Sequence, residues 1–341
     1  MSVSSSSHSS PVVAVLGAGS WGTALAHLLH CKGVETRLWA RDAEAAKRLT
    51  LSHENVKYLA GTPLHDICIS SDLDEIVEPA DWIVVAVPCA AVPALASTLK
   101  EHIQRGTIVV SGTKGLHPEN GLRTSQLWRE FGALPDEQFV TLSGPNLAKE
   151  VVSGVPTSSV VASSNLEVAN QAQQLFSTHS FRVYTNTDLV GVELGGALKN
   201  VVAIAAGIGD GLGFGDNSKA ALMTRHWREM TRLSLALGAQ ESTLFGLSGM
   251  GDLMATCVSP HSRNRSLGER IGRGESLDMA QHEIAQVAEG VHTTRAALRL
   301  SQESGVALPV TEQVAAVLFE GRAPHEAVAE LMQRQGCNEL L

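Results

Sequence analysis

Short, continuously apolar segments alternate with amphipathic stretches through the first half of the chain. The apolar segments are rich in β-branched residues and predict strands at 12–17, 35–40, 66–70, 81–88, 106–112, 138–144, 157–163 and 181–186. Helical periodicity lies between most of them and predicts helices at 20–32, 42–51, 72–78, 89–101, 121–132 and 165–177. Because strands that are apolar on both faces are typical of a parallel sheet covered by helices, the pattern predicts a doubly wound α/β domain.

The periodicity changes near residue 188, where strand-like segments disappear. Helical spacing dominates from there onward and predicts helices at 188–208, 217–238, 262–273, 279–288, 290–304, 309–319 and 324–334. We therefore expect a sheet domain at 11–187 and an all-α domain at 188–341. Residues 1–10, a serine-rich segment without an apolar core, predict a disordered tail and not a secretory signal.

Composition narrows the classes of function. A chain of 341 residues exceeds what one core usually supports, and its 44% hydrophobic content is that of a soluble globular protein. The net charge of -9 argues against a nucleic-acid surface, and no apolar run appears long enough to span a membrane. Five scattered cysteines without a CxxC pair indicate reduced thiols in the cytoplasm, and the absence of a His/Cys cluster predicts no metal.

The sequence GAGSWG follows the first predicted strand and precedes the first predicted helix. It matches G-x-G-x-x-G at Gly17, Gly19 and Gly22. In that context the first glycine allows a tight turn, the second admits a pyrophosphate and the third lets the helix pack on the strand. The free N–H groups of the helix N-terminus favour phosphate. The motif predicts a Rossmann-type dinucleotide site.

The end of the second predicted strand bears on which dinucleotide binds. An NAD site usually places an acidic residue there, whereas this strand ends at Arg41. A guanidinium suits the 2′-phosphate of NADP, and Asp42 is placed to begin the next helix. We expect NADP to be preferred, with NAD still possible; a solvated surface charge is the alternative for Arg41.

Two further strands end in polar, glycine-containing turns. Lys114 follows one of them, and Gly144, Asn146 and Ala148 follow another. Because ligands of open α/β sheets bind beyond the carboxyl ends of the strands, these turns are candidate binding segments. Lys114 could instead be a surface lysine, and Asn146 could be only the N-cap of the helix after it.

Lys199 is the only charged residue between Leu194 and Gly209, inside an otherwise apolar helical segment. Residues one helical turn away are mostly Gly or Ala, which leaves a notch where another group can approach the lysine. Such an ammonium can exchange a proton with a bound molecule. The alternative is a lysine at the helix edge with its tip in water.

A third group of polar residues follows in GMGDLMATCVSPHSRNRSLGER. Asp252 lies in a glycine-rich stretch and could pair with a lysine or bind a substrate hydroxyl; a turn or N-cap role is the alternative. Ser262, Arg263 and Asn264 open a predicted helix, where they could hold a phosphate or form a capped basic surface. Glu289 is a possible ribose or amide contact, or a helix-end residue.

The combined motifs resemble a known family. GAGSWGTALA, SGTKGL, LSGPNLAKEV, ELGGALKNVVAIAAGIGDGLGFGDNSKAAL, GLSGMGDLMATC, SRNRSLG and VAEG occur in this order, from Val12 to the last quarter of the chain. They are similar to the bacterial NAD(P)-dependent glycerol-3-phosphate dehydrogenases. The resemblance implies reversible reduction of dihydroxyacetone phosphate to sn-glycerol 3-phosphate, which supplies phospholipid synthesis, and it implies Lys199 as general acid/base, assisted by Lys114 and Asp252.

The resemblance also implies which residues contact each ligand. For the cofactor, in addition to Gly17, Gly19 and Gly22 of the glycine motif, they are Ser20, Trp21, Arg41, Lys114, Ala148, Arg263, Val287 and Glu289. For the substrate they are Lys114, Gly144, Asn146, Lys199, Asp252, Ser262, Arg263 and Asn264. Asn146 departs from the Ser or Thr that the family often carries after Gly-Pro, and Asp42 departs from a second basic residue after the Arg.

Two other interpretations stay open at this point. Other two-domain dehydrogenases of hydroxy acids share the architecture and a lysine on the first helix of the helical domain. A protein that binds NADP(H) without turnover is the non-enzymatic alternative, although such a sensor has no need of a proton donor. We further expect a homodimer, the commonest assembly of soluble proteins.

Overall fold

The computed structural model describes residues 11–104, 106–284 and 287–333. The predicted disordered tail at 1–10 lies outside the described residues, as does Cys337. The remaining four cysteines, Cys31, Cys68, Cys89 and Cys257, are free thiols.

A sheet of eight strands forms the N-terminal half of the protein. The ten strands of the described chain are β1 Val12–Leu16, β2 Glu35–Trp39, β3 Glu54–Asn55, β4 Ala60–Pro63, β5 Cys68–Ser70, β6 Trp82–Val85, β7 Ile108–Ser111, β8 Phe139–Ser143, β9 Thr157–Ala162 and β10 Phe181–Asn186. The large sheet has the order β10-β9-β8-β7-β6-β1-β2-β5. Its central strands are fully buried, as expected for a sheet covered on both faces.

One junction of this sheet departs from the predicted parallel arrangement. β9 runs antiparallel to β8, whereas every other neighbouring pair in the sheet is parallel. The chain between these two strands contains one helix of five residues, α7. A parallel return needs a longer crossover, so the chain turns and comes back in the opposite direction. The doubly wound α/β class is confirmed, with this one correction.

Eight helices surround the sheet. They are α1 Ser20–Cys31, α2 Ala43–Ser52, α3 Val56–Leu59, α4 Leu73–Val77, α5 Val92–Leu99, α6 Thr124–Gly132, α7 Ala148–Val152 and α8 Leu166–Phe176. The hydrophobic pattern did not predict α3, α7 or the small β3–β4 hairpin. These elements are too short to display a period of 3.6 or of 2.

Nine helices form the C-terminal half of the described chain. They are α9 Leu189–Gly211, α10 Asp216–Ala236, α11 Glu241–Leu244, α12 Asp252–Val258, α13 Arg263–Gly272, α14 Leu277–Glu283, α15 Glu289–Ser304, α16 Pro309–Phe319 and α17 Pro324–Gln333. Asp188 caps α9: one carboxylate oxygen accepts the N–H of Gly191 and the other accepts the N–H of Gln240, each at 2.8 Å. The cap fixes where the helical half begins.

Helix α9 is the central element of the helical half, and α10, α12, α13, α15 and α16 pack around it. Its 23 residues include an 18-residue window with a mean hydropathy of 1.5, which meets the length and composition of a membrane-crossing helix. The prediction that no apolar run reaches that length is therefore wrong. However, 83% of that apolar window is buried inside the protein. The helix is largely apolar because the surrounding helices and the end of β8 cover most of its surface.

Glycines bring α9 and α13 into direct backbone contact. A Cβ on Gly207 of α9 would lie 2.0 Å from the carbonyl oxygen of Arg265, and a Cβ on Gly268 of α13 would lie 2.0 Å from that of Ile204. Gly211 and Gly272 repeat this contact one turn further along. No larger residue fits at these positions without moving a helix. We call these four glycines the glycine seam.

Candidate active site

The first glycine motif forms the turn between β1 and α1. Gly17 adopts φ +114°, and a Cβ there would lie 2.7 Å from the carbonyl oxygen of Ala86, the residue that follows β6. A Cβ on Gly22 would lie 1.8 Å from the carbonyl oxygen of Gly17, so only glycine lets α1 pack on the turn. Gly19, in contrast, faces open space. The turn thus has two tightly packed glycines and one that leaves room beside the backbone.

The start of α1 has no side-chain cap. Gly19 is the N-cap residue and supplies no side-chain acceptor for the first N–H groups. The indole N–H of Trp21 is buried and has no partner among the described residues. Ser20 donates its hydroxyl to the carbonyl oxygen of Tyr58 at 2.7 Å. A helix N-terminus without a side-chain cap, beside an open glycine, fits the pyrophosphate of a dinucleotide.

Arg41 lies two residues beyond the end of β2, and it is exposed. Asp42 is the N-cap of α2, as predicted, and its Oδ1 accepts the N–H of Ala45 at 2.7 Å. The carboxylate is therefore engaged with its own helix, while the guanidinium of Arg41 is accessible at the same end of the sheet.

Two lysines and one aspartate form a compact ionic cluster. Nζ of Lys199 lies 2.7 Å from Oδ1 of Asp252, and Nζ of Lys114 lies 2.8 Å from Oδ2 of the same carboxylate. The side chains of Lys199 and Asp252 are 8% and 3% exposed, whereas that of Lys114 is 17% exposed. Three elements that are distant in sequence thus converge: α9, α12 and the loop after β7.

The remaining partners of the two ammonium groups differ in number. Lys114 also donates to the carbonyl oxygen of Gly144 at 2.8 Å and to Oδ1 of Asn146 at 2.7 Å. Lys199 also donates to the hydroxyl of Thr256 at 2.7 Å. Lys114 therefore has three protein acceptors and Lys199 has two among the described residues. An ammonium carries three N–H donors, so Lys199 keeps one for a bound molecule.

Burial and charge determine the ionisation of this cluster. Burial lowers the pKa of the Lys114 ammonium to about 8, although Asp252 acts in the opposite direction. Burial acts to raise the pKa of Asp252, but the two ammonium groups outweigh it and hold that pKa below its ordinary value. The aspartate is consequently a carboxylate at neutral pH, and Lys114 gives up its proton at mildly alkaline pH.

Adjacent glycines on α9 allow the cluster to assemble. A Cβ on Gly196 would lie 2.6 Å from Oγ of Ser143, at the end of β8, and 3.6 Å from the side chain of Lys114. A Cβ on Gly195 would lie 2.9 Å from the carbonyl oxygen of Ser248. The small residues around Lys199 therefore create the close approach that the sequence predicts.

Asp252 is the first residue of α12 and follows a π-helical turn at Leu247–Gly251, where the sequence indicated an ordinary glycine-rich turn.

Asn146 is held by its side chain and does not cap a helix. The N-cap of α7 is Leu147, so the N-cap interpretation of Asn146 is wrong. Its Nδ2 donates to Oγ of Ser159 on β9 at 3.2 Å, while its Oδ1 accepts from Lys114. Ala148 is the first residue of α7, directly after this segment.

The N-terminus of α13 forms a second polar group. Ser262 is the N-cap, as predicted, and its Oγ accepts the N–H of Arg265 at 3.2 Å. Arg263 is exposed and donates to the carbonyl oxygen of Val287 at 3.1 Å. Asn264 is buried: it donates to Oδ1 of Asn200 at 2.9 Å and accepts the N–H of Gly290 at 3.0 Å.

Glu289 connects the two halves of the protein. Its Oε1 accepts the N–H of Cys89, in the loop after β6, at 3.1 Å. A Cβ on Gly115, next to Lys114, would lie 3.0 Å from its other oxygen. Burial raises the pKa of Glu289, against the opposing effects of the Cys89 N–H and of Arg263. Glu289 and Arg263 thus lie on the helical side of the same crevice as Lys114.

Two residues of the site were not predicted from the sequence. Thr256 lies one turn after Asp252 on α12, and recognising that helix would have placed both on one face. Ser159 contacts Asn146 because β9 lies antiparallel to β8, with Ser143 opposite Val160. No local sequence signal marks such a long-range pairing.

Comparison with known proteins identifies relatives along almost the whole chain. Residues 12–169 match the family described as NAD-dependent glycerol-3-phosphate dehydrogenase N-terminus, and residues 188–329 match the family of its C-terminus. A glycerol-3-phosphate dehydrogenase (NAD(P)+) of Pelotomaculum thermopropionicum is 48% identical over 330 residues, which is 96% of this chain and 95% of that protein. Its counterpart in Chlorobium phaeobacteroides is 47% identical, covering 96% of this chain and 99% of that protein.

Two solved structures share the fold of this chain, at different levels of sequence identity. A glycerol-3-phosphate dehydrogenase from Coxiella burnetii superimposes with a TM-score of 0.92 at 37% identity, over 95% of this chain and 99% of that one. A ketopantoate reductase from Ralstonia eutropha reaches a TM-score of 0.61 at 14% identity, over 93% of this chain and 99% of that one, which shows a shared fold alone.

Proposed function

The chain belongs to the NAD-dependent glycerol-3-phosphate dehydrogenase family, and we propose that it performs the family's reaction with Lys199 as the proton donor. That reaction is the NAD(P)H-dependent, reversible reduction of dihydroxyacetone phosphate to sn-glycerol 3-phosphate. The protein is an oxidoreductase whose product supplies glycerophospholipid synthesis.

The observation that carries the catalytic assignment is the unequal coordination of the two lysines. Lys114 has three protein acceptors, whereas Lys199 has two and keeps one N–H. A proton donor must present a hydrogen to the reacting oxygen, so Lys199 is the better candidate of the two. Its anchoring by Asp252 and Thr256 leaves the ammonium little freedom to turn away.

The reaction balances with one proton from the protein. When bound, the nicotinamide cofactor supplies the hydride that reduces the carbonyl carbon to an alcohol carbon. As negative charge develops on the carbonyl oxygen, Lys199 transfers a proton to it, becomes neutral and regains a proton from solvent. In the oxidation direction, the neutral amine of Lys199 accepts the hydroxyl proton. Lys114 adds a second positive charge close to the same oxygen.

Asp252 keeps the two lysines together. Its two oxygens each accept from one ammonium, at 2.7 and 2.8 Å, so it offsets their mutual repulsion. It also fixes the direction of the free N–H of Lys199. We propose that Asp252 positions Lys199 and contacts the substrate hydroxyl, and that Gly144 and Asn146 border the same space.

We propose that the substrate phosphate binds at the N-terminus of α13. This helix has ten residues, and its first turn carries Arg263 together with the cap residue Ser262 and with Asn264. A guanidinium and free N–H groups are favourable for a phosphate dianion. The binding energy of the phosphate would fix the distant carbonyl beside Lys199.

The residues that would hold the dinucleotide fit it. The open side of Gly19, the uncapped start of α1 and the unpartnered indole N–H of Trp21 support a pyrophosphate site. We propose that Gly17, Gly22, Ser20 and Ala148 border this site. Arg263, Val287, Glu289 and Lys114 would meet the nicotinamide end, because they lie across the crevice.

We also propose a preference for NADP over NAD. The support is the end of β2, where Arg41 is exposed and the carboxylate of Asp42 is engaged by the N–H of Ala45. A guanidinium suits a 2′-phosphate, whereas binding of the ribose hydroxyl of NAD usually requires a free carboxylate at this point.

Three further proposals concern the domain boundaries, the oligomeric state and the location of the enzyme. We propose that the sheet domain comprises residues 11–187 and the helical substrate domain residues 188–341, supported by the end of β10 at Asn186 and the start of α9 at Leu189. We further propose that the enzyme is a homodimer. The free thiols support a cytoplasmic location.

Replacing Lys199 tests the catalytic proposal. We expect Lys199→Ala to lower kcat about 10²–10⁴-fold in a mixture of protein, NADPH and dihydroxyacetone phosphate, followed by nicotinamide absorbance. Binding of NADPH, followed by its fluorescence, should not change. Lys100→Ala, at an exposed position after α5, is the control. A Lys199→Ala enzyme with normal turnover would remove Lys199 from the mechanism.

A further inference from the structure

The ionic cluster includes one amide whose orientation is fixed from two sides. Asn146 presents Oδ1 to Nζ of Lys114 at 2.7 Å and Nδ2 to Oγ of Ser159 at 3.2 Å. A carboxamide has one acceptor side and one donor side. Turning it over would bring its NH₂ group against an ammonium and its oxygen against a hydroxyl. The observed orientation therefore satisfies both neighbours.

Ser159 is a rigid support for this amide. It is fully buried in β9, and its Cα lies 3.1 Å from where a Cβ of Gly144 would be. Gly144 adopts φ +119° and gives its carbonyl oxygen to Lys114. The backbone of β9 thus packs directly on the turn that coordinates the lysine, and Ser159 extends that contact through its side chain.

From this geometry we propose that Asn146 and Ser159 form a positioning pair for Lys114: Ser159 orients the carboxamide, and the carboxamide oxygen holds the ammonium against Asp252. The inference rests on the proposed function only for its effect on turnover. The hydrogen-bond chain itself, from β9 through Asn146 to Lys114, is independent of which substrate is reduced.

The pair has a defined electrostatic consequence. The charged groups that act on Lys114 are Asp252 on α12, Lys199 on α9 and Arg263 on α13. One carboxylate and two other cations thus act on Lys114, and Arg263 is itself offset by Glu289. Neutral acceptors such as Oδ1 of Asn146 therefore matter for retaining the Lys114 proton. Removing that acceptor should favour the neutral amine, whereas a carboxylate in its place should favour the ammonium.

The direct test is an NMR titration of Lys114 in the full-length protein without substrate. Its ¹³Cε resonance, assigned by its loss in Lys114→Arg, is followed from pH 6 to 11. We expect Asn146→Ala and Ser159→Ala to move the midpoint to lower pH, and Asn146→Asp to move it to higher pH. A merely structural role would not move the midpoint in opposite directions. Equal midpoints in all variants would overturn the proposal.

A double-mutant cycle tests whether Ser159 acts through Asn146. We expect Ser159→Ala to lower kcat about 3- to 10-fold in the native background and to have no further effect in an Asn146→Ala background. Additive effects would show that Ser159 acts by another route. Ser234→Ala is the control, because that hydroxyl is buried in α10 and has no partner among the described residues.

The two measurements distinguish the failure of this inference from that of the proposed function. If the titration midpoints move as expected but the native protein does not reduce dihydroxyacetone phosphate, the positioning pair stands and the proposed function fails. If the native protein turns over and the midpoints do not move, the pair fails. Thermal unfolding of each variant confirms that it is folded, and Asn146→Leu, which also lacks a side-chain acceptor, replaces Asn146→Ala if the latter is not.

Discussion

Lys199 and Asp252 lie 53 residues apart in the sequence, yet Nζ of the lysine is 2.7 Å from Oδ1 of the aspartate, and both side chains are buried. A buried ion pair of this kind is costly to break, because the remaining charge loses its partner in a medium that solvates it poorly. Asp252 has two such partners, so the whole cluster depends on it.

Asp252→Asn should therefore destabilise the protein at neutral pH. The amide fills the same space but leaves two ammonium groups facing each other, and we expect the free energy of unfolding to fall by about 3–5 kcal/mol. The pKa of Lys114 should fall below about 8, so the loss should be smaller at pH 9 than at pH 7. Urea unfolding at both pH values measures this. Asp216→Asn, at an exposed position in α10, is the control, and an equal loss at both pH values would contradict the charge argument.

Arg263→Ala should weaken the binding of dihydroxyacetone phosphate. A charge-assisted hydrogen bond contributes about 1.5–3 kcal/mol, so we expect KM to rise about 10- to 100-fold with a smaller change in kcat. At saturating NADPH, slow turnover of dihydroxyacetone, which lacks the phosphate, should not change. Arg270→Ala on the same helix is the matched control, because Arg270 pairs with Glu275. An unchanged KM would contradict the proposed phosphate anchor at Arg263.

Arg41→Ala should separate the two cofactors. If the guanidinium binds a 2′-phosphate, kcat/KM for NADPH falls about 10- to 100-fold, whereas that for NADH stays nearly constant. Arg48→Ala, exposed on α2, controls for a general loss of positive charge. Equal losses with both cofactors would indicate stacking on the adenine that they share, and the NADP preference would be wrong.

Glu229, a buried carboxyl outside the ionic cluster, should make the stability of the protein depend on pH. It is buried in α10, its Oε1 accepts the N–H of Val310 at 2.7 Å, and burial raises its pKa to about 7. The folded state then binds this proton more tightly than the unfolded state. The contribution of Glu229 is therefore fully present below pH 4.5 and is lost as pH rises to about 7, a change of about 3 kcal/mol.

Glu229→Gln should remove that dependence, because the amide resembles the protonated acid. Compared with the native protein in urea unfolding from pH 4.5 to 8, the variant should lose less stability as pH rises. His226, also buried in α10, titrates in the opposite direction, since burial lowers its pKa to about 4. Because Nδ1 of His226 lies 3.8 Å from Oε2 of Glu229, the difference between native protein and variant reports on this neighbouring pair. Two parallel stability curves would exclude the effect.

The sequence predicted the large elements well because they are long enough to show their periods. All eight strands of the main sheet and the glycine turn before α1 were identified in this way. Lys199 was found because a lone charge in an apolar helix is conspicuous. Local patterns could not identify Ser159, whose role depends on strand pairing, or the π-helical turn before Asp252. The predicted start of a helix identified Arg263 as a possible phosphate ligand, but only the folded chain joins it to Val287.

The glycine seam has a mechanical consequence for catalysis. Because α9 and α13 touch backbone to backbone, Lys199 and the proposed phosphate anchor at Arg263 belong to one stiff unit, and the distance between them is fixed. A substrate whose carbonyl and phosphate are separated by the right number of bonds spans that distance, whereas a shorter or longer substrate cannot reach both residues. Any opening of the crevice would then separate the bound substrate from the sheet without stretching it.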